Sequence, residues 1–541
     1  MGIKLNDLID NDEAQDSLVE DKSKKTMKFL TFGIIALLFV IFVVVMIIIK
    51  NVVSTAQMGR IKNIANDAAN LSTLVASTGI KYRSNIDDVE LVGTSLENEE
   101  TAFHLDINGK REEYRYGYYY LTNAEVNAFM PTLTEKNEEY VVNYTTGEVI
   151  NIAGVEWGGK KYHSNMDITA LANGQVPPSD SMVYINTPQD MELIRQNPYG
   201  YYKLSADIDM AAYSQGNGWK PVENFYGTFE GRGYKISNLA INRDAEDYCG
   251  LFGQVYDTAV LSEIVLENVN VNGRSNTGAL AGSCTGTISN CSVNGIVNSS
   301  GNSVGGLVGS YNSNQISNSY ANVSVTGSQD IGGLVGTLYG GRVKTSYAKG
   351  TVTGMDNVGG LIGAIKPSRE TEVNETYADT RIKATENAGG LIGSVEILNN
   401  SLVNTLNSYA IGAIEAANSV AGGFVGNIYA ANGPTIKFDS VYTATDVSVD
   451  TNIRGGFVGK ISLPDDLIIS TGCLWEKDSY TDKDLKDIGT SNITKTFEAR
   501  TPDEMVTQAP YTTWDLTNVW NVGNGRRAYF KWQTDMLNEK K

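Results

Sequence analysis

A glycine motif of four to five residues constrains this chain more than any other feature. It recurs as Gly250-Leu-Phe-Gly253, Gly278-Ala-Leu-Ala-Gly282, Gly305-Gly-Leu-Val-Gly309 and Gly332-Gly-Leu-Val-Gly336, then as Gly359-Gly-Leu-Ile-Gly363, Gly389-Gly-Leu-Ile-Gly393, Gly422-Gly-Phe-Val-Gly426 and Gly455-Gly-Phe-Val-Gly459. The closing glycines lie 29, 27, 27, 27, 30, 33 and 33 residues apart. A motif held at such a period marks a stack of repeats, each burying its apolar face against the next. The glycine pair would let the chain turn tightly, take a positive φ, or bring neighbouring backbones close.

A second mark falls between the glycines. Ile316-Ser-Asn-Ser-Tyr320, Val343-Lys-Thr-Ser-Tyr347 and Val373-Asn-Glu-Thr-Tyr377 are clear copies, and Leu406-Asn-Ser-Tyr409 and Phe438-Asp-Ser-Val-Tyr442 looser ones. Stacking would align Tyr320, Tyr347, Tyr377, Tyr409 and Tyr442 in one ladder. The run Ala321-Asn-Val-Ser-Val-Thr alternates with period two, so one side packs inward. Just before the glycine motif stand Asp247, Asn276, Ser303, Asp330, Asn357 and Asn387, read as a ladder of turn residues; the carboxylates are too few for a calcium ladder. These glycines and tyrosines resemble the GLUG repeat of bacterial surface proteins. The resemblance implies a mainly β fold, a parallel β-helix or solenoid. Eight coils at about 4.8 Å each make it about 40 Å long, and right-handed crossovers are the expectation.

Phe29 to Ile49 carries no charge over 21 residues, about the length of a membrane-crossing helix. Lys22, Lys24, Lys25 and Lys28 precede it, which favours an inside N-terminus and an outside C-terminal region. The expected order is therefore a cytoplasmic tail (1–27), a transmembrane helix (28–50), and a small α+β stalk (51–178). A lead-in (179–245), the repeats (246–495) and a C-terminal cap (496–541) follow. In the stalk, Ile61, Ile64, Ala65, Ala68, Leu71 and Val75 recur at helical spacing. Strand-like runs such as Tyr140–Tyr144 follow. A helix leaving the membrane into a small α+β head resembles type IV pilins and pseudopilins, although their Gly-Phe cleavage site and helical Glu are missing here. Thr187-Pro-Gln-Asp190 and Thr501-Pro-Asp-Glu504 read as capped helix starts at the two ends of the stack. The entry segment with Trp219 and the exit segment with Trp514, Trp520 and Trp532 resemble the flanks of GLUG repeats.

The formal charge of −19 excludes nucleic acid as a natural partner. Cys249, Cys284, Cys291 and Cys473 form no metal-binding spacing; Cys284 and Cys291 could pair, but burial as small apolar groups is the better reading. Some GLUG proteins are peptidases with an H-E-x-x-H motif, which neither His104 nor His163 opens. From Gly282 to Gly363 the only charged residues are Asp330, Arg342, Lys344, Lys349 and Asp356, too sparse for a carboxylate pair on the central rungs. Asp207 and Asp209 look like such a pair in the lead-in, where a structural role is favoured. No catalytic residue, metal or cofactor is expected.

Leg lengths point to a binding face. From closing glycine to ladder tyrosine they are 11, 11, 14, 16 and 16 residues; from tyrosine to the next glycine, 16, 16, 16, 17 and 17. The variable legs place loops at 364–376, 394–408 and 427–441, with Tyr311, Tyr339 and Tyr429 as candidate contacts for an extracellular glycan or protein. The expectation is a membrane-anchored, non-enzymatic adhesin. The alternatives are a pilin-like component of a filament or secretion apparatus, which would self-assemble, and a polysaccharide-degrading β-helix enzyme.

Overall fold

The computed structural model describes residues 58–533, apart from several short segments, of which 80–89 and 174–181 are the longest. The proposed membrane span at Phe29–Ile49 lies outside the described residues. Among those described, no helix is long and apolar enough to cross a membrane. The chain divides into two compact units. Among the described residues, one unit takes in 58–79 and 90–173 and the other follows from 182.

In the first unit a helix covers 58–79. Its apolar stripe is the one the spacing marks: Ile61, Ile64, Ala65, Ala68, Leu71 and Val75 are each at most 4% exposed. Ala68, Leu71 and Val75 pack on Leu121, Tyr140, Val142 and Tyr144. Ile61 and Ile64 pack on Val155, Tyr162 and Ile168. The opposing surface is a five-stranded sheet ordered Thr94–Leu96, Tyr118–Leu121, Tyr140–Asn143, Val149–Trp157, Lys160–Ser164, antiparallel at every pairing. Asp67, buried on the helix, accepts from the backbone N–H groups of Thr134 and Glu135 and so ties a loop to it.

The second unit is a parallel β-solenoid of about nine turns. Two sheets, of 21 and 16 strands, carry the rungs. One coil shows the plan: Gln329–Gly332 and Val335–Leu338 in the smaller sheet, Gly341–Lys344 and Tyr347–Thr353 in the larger. Each pairs in parallel with the equivalent strand of the next coil.

The glycine motif is the corner between the two strands of the smaller sheet. The backbone ladder runs through the bend, Leu307, Leu334 and Leu361 each donating to the next coil's corner residue at 2.9–3.0 Å. The leucines themselves are fully buried. A Cβ on Gly332 would stand 2.0 Å from the Val335 carbonyl oxygen, and one on Gly333 2.2 Å from the Gly360 carbonyl oxygen. A Cβ on Gly363 would lie 2.3–2.6 Å from the backbone of Asp330, Ile331 and Gly336. The opening and closing glycines are therefore required by backbone approach, whereas the second position accepts Ala279 in one coil. Positive φ belongs to the residue two places earlier, at Asn276, Ser303, Asp330 and Asn357. In the first coil Tyr248, not Asp247, takes that conformation (φ 59°).

A second row of positive-φ residues precedes the ladder tyrosines by two: Asn318, Thr345, Glu375, Asn407 and Ser440. The next residue, Ser319, Ser346, Thr376 or Ser408, is buried. Its hydroxyl serves the preceding coil, as where Ser319 N–H donates to Ser346 Oγ and Thr376 N–H to Ser408 Oγ.

The two ends differ. At the entry, Thr187 and Asp190 form a capping box. Trp219 is fully buried, donates to the Leu251 carbonyl at 3.0 Å, and carries the Arg195 guanidinium 4.3 Å above its ring. At the exit, Thr501 and Glu504 form the second box. The segment beyond it folds back along the flank, over the tyrosine ladder. Trp514, Trp520 and Phe530 join Tyr377, Tyr409 and Tyr442 in one buried cluster. Tyr442 donates to the Ala528 carbonyl at 2.7 Å, Gln533 to the Tyr409 hydroxyl at 2.7 Å, and Arg527 pairs with the buried Glu476.

Candidate functional site

Side chains after each closing glycine point alternately to the two faces of the strand, although Ser310, Thr337, Ala364 and Ser394 on the outer face are covered too. The residue two places on points inward: Val255, Cys284, Tyr311, Leu338, Ile365, Val395 and Ile428 are in register and buried. The residue three places on points outward and forms a row of its own: Tyr256, Thr285, Asn312, Tyr339, Lys366, Glu396 and Tyr429. Tyr339 and Tyr429 belong to this row and are 36% and 45% exposed. Tyr311 is one residue short of it. It is fully buried and donates to the Gly286 carbonyl at 2.8 Å, so it is a core residue and not a ligand contact.

The same row extends back into the lead-in as Tyr226 and Tyr199. Tyr199, Tyr226 and Tyr256 stack at 4.6 and 4.3 Å, with Tyr199 69% exposed. Counting three places from Gly253 finds Tyr256 in the sequence. Tyr226 and Tyr199 precede the first glycine motif, so no such count reaches them.

The five ladder tyrosines occupy one column in register. Their rings stack at 4.7–4.9 Å with planes within 9°. Stacked along the column they turn their faces to each other. The C-terminal segment covers Tyr377, Tyr409 and Tyr442, each at most 4% exposed. This column is structural.

The variable legs are shorter as loops than their lengths implied. The turns span 312–314, 339–340, 366–370 and 398–401. Part of the added length goes into longer strands, Ile392–Ile397 and Val425–Ala430, against Val335–Leu338 in a short coil. Residues 432–434 of the last such turn lie outside the described residues.

These turns frame a cleft of about 530 Å³. Thr287, Ser313, Asn314 and Gln315 line it with hydroxyls and amides; Arg342, Arg369, Glu370 and Glu372 line it with charge. Gly341 adds bare backbone, and none of the described residues that line it has an apolar side chain. Arg342 stands 3.6 Å from Glu372, and Arg369 donates to Ser313 Oγ at 3.1 Å. The stem of Arg369 lies over bare backbone, for a Cβ on Gly340 would be 2.4 Å from its Cγ. Chemically the cleft offers alternating donors and acceptors to a polar ligand.

Between the two strands of the corner, on the outer side, runs a polar network. Asp330, 7% exposed at its side chain, accepts from Lys366 Nζ at 2.8 Å, Asn357 Nδ2 at 2.9 Å and Thr337 Oγ1 at 3.2 Å. That leaves Ser303 to donate to Thr337 at 2.7 Å. Glu396 accepts from Asn357 and from Ser394 and stands 3.7 Å from Lys366. Burial pulls the Lys366 ammonium down, but the bond to Asp330 and the charges of Asp330 and Glu396 outweigh it and hold it above the usual lysine range.

The other candidates are in structural use. Asp209 accepts from Asn238 Nδ2 and the Ala211 N–H, and Asp207 from the Lys235 N–H, both in turns. All four cysteines are buried thiols; burial raises Cys291 to about 12 and Cys284 further. His163 is 2% exposed, and burial lowers its pKa. Among the described residues no group of three His, Cys, Asp or Glu side chains could hold a metal ion.

Comparison with known proteins places two family descriptions on this fold. Residues 155–295 match the M26 IgA1-specific metallo-endopeptidase N-terminal region, and residues 327–353 match the GLUG motif. Halomucin of Haloquadratum walsbyi is 33% identical over 183 residues, 30% of this chain and 2% of that protein. A Gly-rich membrane protein, so named provisionally, of Evansella cellulosilytica is 31% identical over 136 residues, 23% of this chain and 16% of that one. The chain thus spans a small part of the length of the curated relatives it matches. A crystal structure of a candidate immunoglobulin A1 protease from Bacteroides ovatus overlays 65% of this chain and 92% of its own, with 20% identity and a TM-score of 0.37. An IgA1 protease structure overlays 76% and 31%, with 14% identity and a TM-score of 0.38.

Proposed function

We propose that this chain is a single-pass, membrane-anchored protein that displays its solenoid outside the cell and binds glycan or protein ligands there, an adhesin-type role. The carrying observation is the cleft of about 530 Å³ on the variable legs, lined by polar and charged side chains only. Its size is within the range of small-ligand sites, about 300–1,000 Å³. The uncharged run Phe29–Ile49 supports anchoring, and the provisional name of the Evansella relative agrees with it. The exposed tyrosines of the outward row offer further contact area beside the cleft.

Two other readings each have an observation behind them. The match over 155–295 to the N-terminal region of an IgA1-specific metallo-endopeptidase favours a tie to proteolysis. A helix packed on an antiparallel sheet, in the unit that follows the apolar run, favours a pilin-like structural component.

One assay separates these. The full chain is presented to a panel of polysaccharides and matrix proteins, and retention and product release are scored together. Saturable retention without cleavage is the expected result. Product release overturns the binding role in favour of an enzyme. No retention, with the chain recovered in sheared filaments, overturns it in favour of the structural component.

A further inference from the structure

The cleft on the variable legs is lined by two arginines and two glutamates, and only one arginine is held in an ion pair among the described residues. Arg342 has Glu372 beside it at 3.6 Å, whereas no carboxylate among the described residues pairs with Arg369. Among the described residues its guanidinium bonds to the neutral Ser313 Oγ. Its stem is laid over Gly340, where a side chain would collide with it at 2.4 Å. In a chain of net charge −19, an arginine left without an acid has donors to spare, and here the stem contact and the serine bond hold it in place. A planar guanidinium presented in this way matches a carboxylate with two parallel hydrogen bonds, a geometry that lysine does not offer. Around it Asn314, Gln315 and Glu372 provide neutral and anionic partners for hydroxyl groups.

We propose that the cleft binds an acidic polysaccharide, with one uronate carboxylate paired to Arg369 and the adjoining hydroxyls shared among Asn314, Gln315 and Glu372. This deepens the binding role above and rests on it. Arg369 sets the preference for acid over neutral sugar; Gly340 and Ser313 are positioning residues.

The test measures retention of the full chain on immobilised polygalacturonate and hyaluronate, on dextran sulfate, and on neutral dextran, at physiological salt. Saturable retention on a uronate polymer and none on dextran is expected. R369Q should weaken it at least about tenfold, and R369K nearly as much, because charge without the fork is not enough. G340A should weaken it by displacing the arginine. Arg369 is exposed, so its two variants keep the fold, and a circular dichroism melt verifies this for them and for G340A. Retention on dextran equal to that on uronates, retention on dextran sulfate alone, or an unchanged R369Q overturns the acidic-sugar preference while the binding role stands. No retention on any polysaccharide or matrix protein overturns both.

Discussion

Two bends in the same coil obey opposite rules. The corner at Gly332-Gly333-Leu334 has the same length in seven copies of the motif, from Gly278–Gly282 to Gly455–Gly459, and is one residue shorter at Gly250–Gly253; its backbone touches the backbone of neighbouring coils on both sides. The turn that follows at 339–340 becomes 366–370 and then 398–401 in later coils, tied to its neighbours by single hydrogen bonds such as Ser368 N–H to the Tyr339 carbonyl and not by backbone packed into backbone. The first bend opens and closes on glycine in all eight copies and varies by at most one residue in length. The second can vary in both length and chemistry, and it is where Arg342 and Arg369 gather. In a solenoid, function collects where backbone contact is loosest.

The sharpest way to break this contrast is G363A. The new Cβ would lie 2.3–2.6 Å from three backbone atoms of the preceding coil, and no side-chain rotation relieves a backbone clash. We expect a loss of about 5 kcal/mol, enough to open the coil, measured as a fall in the denaturant midpoint. A loss below about 1 kcal/mol would show that the corner yields and that its fixed length has another cause.

Next in size is the C-terminal segment on the ladder. W520A removes a side chain that is 1% exposed and packed against Tyr409, Trp514 and Phe530, at a cost of about 4 kcal/mol. The same burial raises the pKa of Tyr347, Tyr377, Tyr409 and Tyr442 above the tyrosine range. A raised folded value means the neutral form is favoured in the fold. The stability it contributes is whole below the unfolded value of about 10 and is lost as pH climbs from there towards the folded values. Alkaline titration followed by tyrosinate absorbance should therefore show a delayed, cooperative step that W520A moves to lower pH. Independent titration of all tyrosines near the ordinary value would sink the idea.

The polar network beside the corner comes third. D330N keeps the shape but leaves Lys366 with only Glu396, at 3.7 Å. Because Lys366 is 31% exposed, water relieves part of the loss, and we expect about 2 kcal/mol. The double variant D330N/K366M should recover part of that deficit. Additive losses in the two changes would mean the residues do not interact.

The corner was legible in the sequence because backbone contact leaves a residue signature, glycine at a fixed period. The tyrosine column was legible for the same reason of period. Three things were hidden. The positive-φ row before the ladder uses Asn318, Thr345, Glu375, Asn407 and Ser440, residue types too mixed to read as one conformation. Tyr311 was placed on the wrong side because a strand reverses face with every residue, and only its count from Gly309 distinguishes it from Tyr339. The aromatic exit segment has no period, so its tryptophans could not be matched to the ladder they cover. The cleft was legible only as a region. Its loops were marked by leg length, but Arg342 and Arg369 come from different coils and nothing in the chain pairs them.

The smallest expected effect on stability tests the other side of the contrast. Residues 398–401 form one of the lengthened turns, and Leu398 there is 66% exposed. Replacing the turn with a two-residue link like 339–340 should change the folding free energy by less than about 1 kcal/mol, since loop closure depends only weakly on length. Two bonds would go: Asn399 and Ser401 each donate to the Pro367 carbonyl, which ties this turn to the 366–370 turn that carries Arg369. Ligand retention should therefore fall with almost no change in the thermal midpoint. If the midpoint falls as far as it does in W520A, the longer turns are structural, and the division between a fixed corner and a free leg does not hold for these coils.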